Sequence, residues 1–247
     1  MARNITRLTA GSVSQKCLRT TTLPRIRRAY SSGRPSPPEE HVGGIKFWPA
    51  YLQPEEQRLL LQASLHKLDN AESIRSRKKR RAYLKSLPSK VAESDSLQNC
   101  FFPDDYYEFQ EGHYDGVIHG YREMHLASWP EEQFEGLSNV IKRLRTLCPS
   151  QNIQTHLLHL AARGYILPHI DNVDSSGNWI LGVSLGNERV LQLDPPGDAS
   201  SVQLSLPSGS VYIQSGDVRY TYKHSIIQKA EGGQRLSVLI RDSPTVL

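Results

Sequence analysis

The chain changes rhythm partway along. Residues 54–68, PEEQRLLLQASLHKL, place Leu59, Leu60, Ala63 and Leu68 at helical spacing. Pro54 and two glutamates open this stretch and suit a first helical turn. The pattern predicts an amphipathic helix. A second is predicted at PEEQFEGLSNVIKRLRTLC, residues 130–148, where Phe134, Leu137, Val140, Ile141 and Leu144 share one side. From residue 153 the texture is different. THLLHLA, WILGVSL, RVLQLD, SVQLSL, SVYIQS, RYTYKHSII and RLSVLIR are short runs rich in Ile, Val, Leu and Tyr, separated by Gly, Pro, Asn and Ser. Such spacing predicts an antiparallel β-sandwich or jelly roll. Helices first and strands after give an α+β class, a β core with flanking N-terminal helices.

No apolar run approaches the ~18 to 20 residues that span a bilayer. Cys17, Cys100 and Cys148 form no zinc-type spacing, and a reducing compartment fits them better than a disulfide framework. The net charge of +5 invites a nucleic-acid reading, so its location matters. Residues 1–38 hold no Asp or Glu, but they hold Arg3, Arg7, Lys16, Arg19, Arg25, Arg27, Arg28 and Arg34 among many Ser and Thr. That is the composition of a mitochondrial transit peptide, expected over residues 1–30 with RRAYSS at its end. Cleavage after Tyr30 would remove seven basic residues and no acidic ones, taking the charge from +5 to −2. The competing reading is a basic arm that stays on and binds phosphate. SSGRPSPPEE reads as a linker over residues 31–44, with the folded domain at 45–247. RSRKKRR, Arg75 to Arg81, has six basic residues in seven. It could grip a phosphate backbone, but such a run is more often a solvated loop. CFFPDDYYEFQEGHYDG mixes aromatics with Asp104, Asp105, Glu108 and Glu111, acids that repel phosphate, and reads as core packing or a protein-facing loop.

YILPHIDNVD carries His169-Ile170-Asp171, and His113-Tyr114-Asp115 repeats the pattern. A bare H-x-D is weak, since about half a chance match is expected among the histidines. In a strand, residues i and i+2 face the same way, so His169 and Asp171 can offer an imidazole and a carboxylate to one metal. His224, 53 residues after Asp171, is the candidate third ligand. Two His and one carboxylate make the facial set of non-haem Fe(II) oxygenases, with open positions left for cosubstrate and O2. In the last run, Leu236, Val238 and Ile240 share a core-facing side, which turns Arg235, Ser237, Leu239 and Arg241 the other way. A guanidinium matches a carboxylate in bidentate geometry, so a dicarboxylate cosubstrate would explain both arginines. The bland alternative is a solvent-facing edge strand.

The order H-x-D, His, then R-x5-R resembles the AlkB family of Fe(II)/2-oxoglutarate dioxygenases. GVSLG, LPSGSVYIQSGDVRYTYKHSI and the terminal arginine pair support the likeness, which covers about residues 153–243. With the leader, the chain looks most like the family's mitochondrial branch. The resemblance implies a double-stranded β-helix, with Fe(II) held by His169, Asp171 and His224. It further implies 2-oxoglutarate bound by Arg235 at its distal carboxylate, by Tyr212, and by Ser237 and Arg241. Arg241 would lie near the metal-side carboxylate or steady Asp171. O2 completes the set, and turnover yields succinate, CO2 and a hydroxylated C–H. His113 and Asp115 have no such train behind them and read as chance.

Some family features are missing. The Asn-x-Tyr that usually precedes H-x-D is Leu158-His159-Leu160 here, a gap that Tyr212 could fill. The acid that reads a damaged base is displaced, because Asn172 and Val173 come before Asp174. Ser237 and Leu239 replace the usual Asn and Thr. The resemblance implies a matrix enzyme that hydroxylates a protein or itself, linked to regulated necrosis and fatty-acid metabolism. Demethylation of mitochondrial RNA is the alternative, and a non-catalytic regulatory protein is a third reading. The mature charge and missing base-side acid favour protein, whereas the basic run favours RNA. The oligomeric state is left open. His156 and His159 should fall on opposite strand faces and pack separately. Trp179 and Tyr165 are expected in the core rather than in a substrate pocket.

Overall fold

A computed structural model describes residues 38–40, 43–87, 96–229 and 232–243. The expected transit peptide, and most of the expected linker, lie outside the described residues. In chain order the elements are β1 (Glu39–Glu40), β2 (Ile45–Trp48), α1 (Pro54–Ala71), α2 (Ile74–Ser86), β3 (Gln110–Gly112) and β4 (Ile118–Leu126). Then come α3 (Leu137–Arg145), β5 (Ile153–His169), α4 (Val173–Ser176), β6 (Trp179–Gly186), β7 (Arg189–Asp194) and β8 (Val202–Leu206). β9 (Val211–Ser215), α5 (Gly216–Thr221), β10 (Lys223–Gln228) and β11 (Arg235–Asp242) complete the domain.

Pairing is antiparallel throughout and builds two layers from one curled sheet. One layer runs β9-β6-β11-β5, and the other runs β5-β10-β7-β8. β5 serves both, because its first half pairs with β11 from Ile153 to Leu160 and its end pairs with β10 at Ile166 and His169. This is the jelly-roll core. β2 and β1 extend the first layer past β9, while β4 and β3 extend it past β5.

Alternation along each strand makes two cores. Leu158, Leu160, Ile166, Leu191, Leu204 and Ile226 pack between the layers. Leu181, Val183, Val211, Ile213, Leu236 and Val238 face outward and meet Leu60, Leu61, Leu65 and Leu68 of α1 and Val140, Ile141 and Leu144 of α3. Burying each such leucine contributes about 1.5 to 3 kcal/mol. The helices therefore close the outer face of the first layer and leave its inner face to the site. α1 starts at Pro54, and the Glu56 carboxylate accepts the Gln53 N–H at 2.9 Å, which satisfies one open donor of its first turn. Among the described residues, no helix is long and apolar enough to cross a membrane.

Several local expectations need correction. The basic run is not a loop but the body of α2, started by the Ser73 hydroxyl accepting the Ser76 N–H. Arg and Lys are good helix formers, and charge alone does not prevent a helix. Its Arg80 is buried, held by Glu72 and by the carbonyls of Tyr106 and Asp69. The second helix is shorter than predicted. Gly136, at φ +87°, cannot continue a right-handed helix, so α3 begins at Leu137 after a separate 3-10 turn at Glu131–Gln133. The run at RYTYKHSII is part helix, since Gly216–Thr221 precede the strand at Lys223. β1 falls inside the expected linker. Sheet pairing also begins well before residue 153, with β1 to β4.

Candidate metal centre

The site sits where β5 and β10 end side by side. His169 is the last residue of β5 and is the Cα partner of His224 on β10. Asp171 lies just beyond the strand rather than within it, so H-x-D is a strand end followed by the irregular link into α4. The three side chains converge. His169 Nε2 lies 3.4 Å from Asp171 Oδ1, and His224 Nε2 lies 3.6 Å from Asp171 Oδ2. One ligand atom from each falls within 4.8 Å of the others, and this is the only such group of three among the described residues. His113 and Asp115 instead pair with each other at 2.8 Å near the turn between β3 and β4.

The donor set fits a divalent cation. His169 Nδ1 lies 2.9 Å from the Leu167 carbonyl, which turns Nε2 towards Asp171 as a lone-pair donor. His224 Nδ1 is a buried ring nitrogen with no hydrogen-bond partner among the described residues. Burial lowers His224 to about 4, so it is a neutral imidazole at neutral pH. Burial also pushes His169 down, but the hydrogen bond and charge of Asp171 outweigh it and its pKa is raised. Burial opposes ionisation of Asp171, yet the His169 hydrogen bond and the charges of His224 and Arg241 hold it well below the usual carboxylate range.

Every residue expected in the site lines one cavity: His169, Asp171, His224, Tyr212, Arg235, Ser237 and Arg241. Leu158, Ile166, Ile226 and Leu239 give it apolar walls. The alternation of β11 produces this, with Leu236, Val238 and Ile240 packed outward. β11 is not an edge strand, because it lies between β5 and β6. Arg235 is only 1% exposed, and its Nε donates to Ser184 Oγ at 3.0 Å. No carboxylate pairs with it among the described residues. Burial lowers its guanidinium to about 10, with Tyr212 acting in the opposite sense. It remains a cation at neutral pH, buried without a counter-ion. At the other end, Arg241 Nη2 lies 3.9 Å from Asp171 Oδ1.

Two supports escaped the sequence. Arg219 of α5 is buried, donating to the Asp171 backbone carbonyl at 3.1 Å and to Ser176 Oγ at 2.8 Å. No periodicity marks it. Gly182 of β6 is paired with Tyr212 of β9, and a Cβ there would come within 2.4 Å of the phenol ring. Trp179 is core, with its indole N–H donated to Ser150 Oγ at 3.3 Å. Tyr165 is 41% exposed and stacks on His119, outside the cavity. His156 and His159 do take opposite faces, His156 beside Glu123 at 3.0 Å and His159 against Arg122.

Comparison with known proteins identifies the family and several relatives. The model of the 2OG-Fe(II) oxygenase superfamily matches residues 44–241. The mouse protein named "Alpha-ketoglutarate-dependent dioxygenase alkB homolog 7, mitochondrial" is 34% identical over 148 residues, 55% of this chain and 66% of that protein. The bovine protein of the same name is 31% identical over 173 residues, 62% of this chain and 75% of that protein. Among solved structures, OsALKBH1 superposes with a TM-score of 0.49 and 14% identity, over 83% of this chain and all of that one.

Proposed function

We infer the working of the site from a plain premise: the chain belongs to the 2OG-Fe(II) oxygenase superfamily, in its AlkB branch, and is a dioxygenase that uses Fe(II), 2-oxoglutarate and O2. Bound together, these supply the oxidising chemistry, in which 2-oxoglutarate becomes succinate and CO2 while a substrate C–H gains a hydroxyl. In our reading, His169, Asp171 and His224 hold the iron. Arg235 receives the distal carboxylate of 2-oxoglutarate at the closed end of the cavity. The observation that carries this reading is a buried cation with no carboxylate partner in the same cavity as a His-Asp-His cluster.

Tyr212 directs the cosubstrate from beside Arg235, its ring seated over Gly182. Ser237 lies between the two arginines on the same strand face and adds a hydroxyl. Arg241 neutralises Asp171 from the open end, and Arg219 fixes the backbone that carries Asp171. The apolar walls exclude water from the reacting carbon.

The substrate in this reading is a protein, this chain included, in the mitochondrial matrix. The relatives' names support mitochondria, and the acid-free leader supports import. The basic run, which favoured RNA in the sequence, is tied through Arg80, Glu72 and Arg122 to the face of β4 turned away from the cavity. The test is incubation with Fe(II), 2-oxoglutarate and O2, first alone and then with matrix protein or matrix RNA. Peptides that gain one oxygen atom, on this chain or another, are expected. Formaldehyde released from RNA, with no oxygen gained by any peptide, would replace protein with RNA.

A further inference from the structure

Helix α2 carries a charge pattern that the catalytic site does not use. Ile74, Lys78, Arg81 and Lys85 recur at i, i+4, i+7 and i+11, a single stripe roughly 16 Å long. Arg75 and Arg77 flank it, and the helix contains no acid. Lys78, Arg81 and Lys85 are exposed. The ion pairs of the basic run go elsewhere: Arg80 is buried against Asp69 and Glu72, and Lys79 reaches the Asp105 carbonyl. The stripe cations make no ion pair or hydrogen bond with the described residues. Ile74, 63% exposed, belongs to the same stripe, whereas Leu84 and Leu87 turn towards the hollow beside Cys100 and Phe101.

The stripe is also separated from the metal cavity by a sheet. Arg122 of β4 is the partner of His159, and its guanidinium reaches Asp69 and Glu72, the acids that hold α2 through Arg80. Glu123, the next residue, is the partner of Leu158, which lines the cavity. Neighbouring strand residues point to opposite faces, so α2 and the cavity lie on opposite sides of β4 and β5. A polyanion on α2 would not present its bases to the iron.

We propose that this stripe docks the enzyme on an anionic phospholipid bilayer. A flat negatively charged surface complements a straight row of unpaired cations, and each cation near such a surface adds to the attraction. Ile74 then has a partner in the outer acyl region, which a nucleic-acid backbone does not offer. The exposed stripe has no aromatic for base stacking and no Asn or Gln for base edges. Binding is peripheral, weakens with salt, and does not depend on the catalytic reading.

The test is co-sedimentation of the full chain with phosphatidylcholine vesicles, with and without about 30% phosphatidylglycerol. The native chain should pellet only with the anionic vesicles. Lys78→Glu, Arg81→Glu and Lys85→Glu together should lower partitioning at least about tenfold, with an unchanged thermal midpoint. Ile74→Ser should lower it by roughly twofold to threefold. Since these chains share every other cation, the comparison isolates α2. Equal pelleting by the triple variant, or binding that ignores lipid charge, would overturn the proposal. So would tighter binding to a single-stranded RNA oligomer that the same triple variant abolishes, which would make the stripe a nucleic-acid surface.

Discussion

His159 and His224 sit in the same curled sheet and are finished in opposite ways. On the outer face, His159 is fully buried, its Nδ1 accepting from Arg122 Nε and its Nε2 lying against Gln234 Oε1, each at 2.9 Å. Phe101 stacks on the ring at 5.1 Å between centroids. On the inner face, the buried His224 Nδ1 has no hydrogen-bond partner among the described residues, and its Nε2 is turned towards Asp171. Arg235, near it in the cavity, has Ser184 but no carboxylate. The difference separates a structural histidine from a binding one. Both ring nitrogens of His159 are met by the protein, whereas the cavity holds a cation and a His-Asp-His cluster that a ligand would complete.

The sharpest way to break this comparison is Arg235→Ala. Losing a buried guanidinium should raise the Kd for 2-oxoglutarate about 100-fold or more, measured calorimetrically with Mn(II) in place of iron. Metal affinity should be preserved, and an unchanged 2-oxoglutarate Kd would place the cosubstrate elsewhere. On the outer face, His159→Leu should do the reverse. It strands the Arg122 and Gln234 groups and should cost about 3 kcal/mol in urea unfolding, while 2-oxoglutarate binding by the folded protein stays as it was. An altered cosubstrate Kd would show that the two faces are not independent.

Smaller effects test the supports. Arg219→Met should weaken metal binding by about 10- to 100-fold, because the Asp171 backbone loses its anchor. Gly182→Ala should push the Tyr212 ring aside and raise the 2-oxoglutarate Kd by about tenfold, with metal binding spared. The smallest effect is the pH dependence of metal affinity. His169, with its pKa raised by Asp171, must lose its proton to ligate, so affinity should climb as pH rises through that pKa. His224, lowered to about 4, adds no proton release near neutrality. A flat profile between about pH 6 and pH 8 would contradict the assigned ligand.

The parts of this arrangement that depend on strand parity were legible in the sequence. RLSVLIR sends Leu236, Val238 and Ile240 one way and its arginines the other, and the structure keeps that division. Spacing alone could not show that His224 lies beside His169, since that needs the pairing of β10 with β5. The likeness to a known family supplied it. Arg219 was invisible because it acts through tertiary contact from a short helix. Gly182 looked like any strand glycine until its cross-strand partner was known. The basic run reads as a loop from its charge, but the helix propensity of Arg and Lys decides it. The paired His113 and Asp115 show how far the motif goes by itself, for among the described residues they belong to no three-ligand group, although Glu123 comes within 3.9 Å of His113.

The most direct measurement of the central claim is succinate formed from 2-oxoglutarate by the chain with Fe(II) and O2, set against His169→Ala, His224→Ala and Arg235→Ala. The account predicts measurable turnover by the native chain even without added substrate, and its loss in all three variants. Turnover that survives His169→Ala or His224→Ala would contradict the His-Asp-His site.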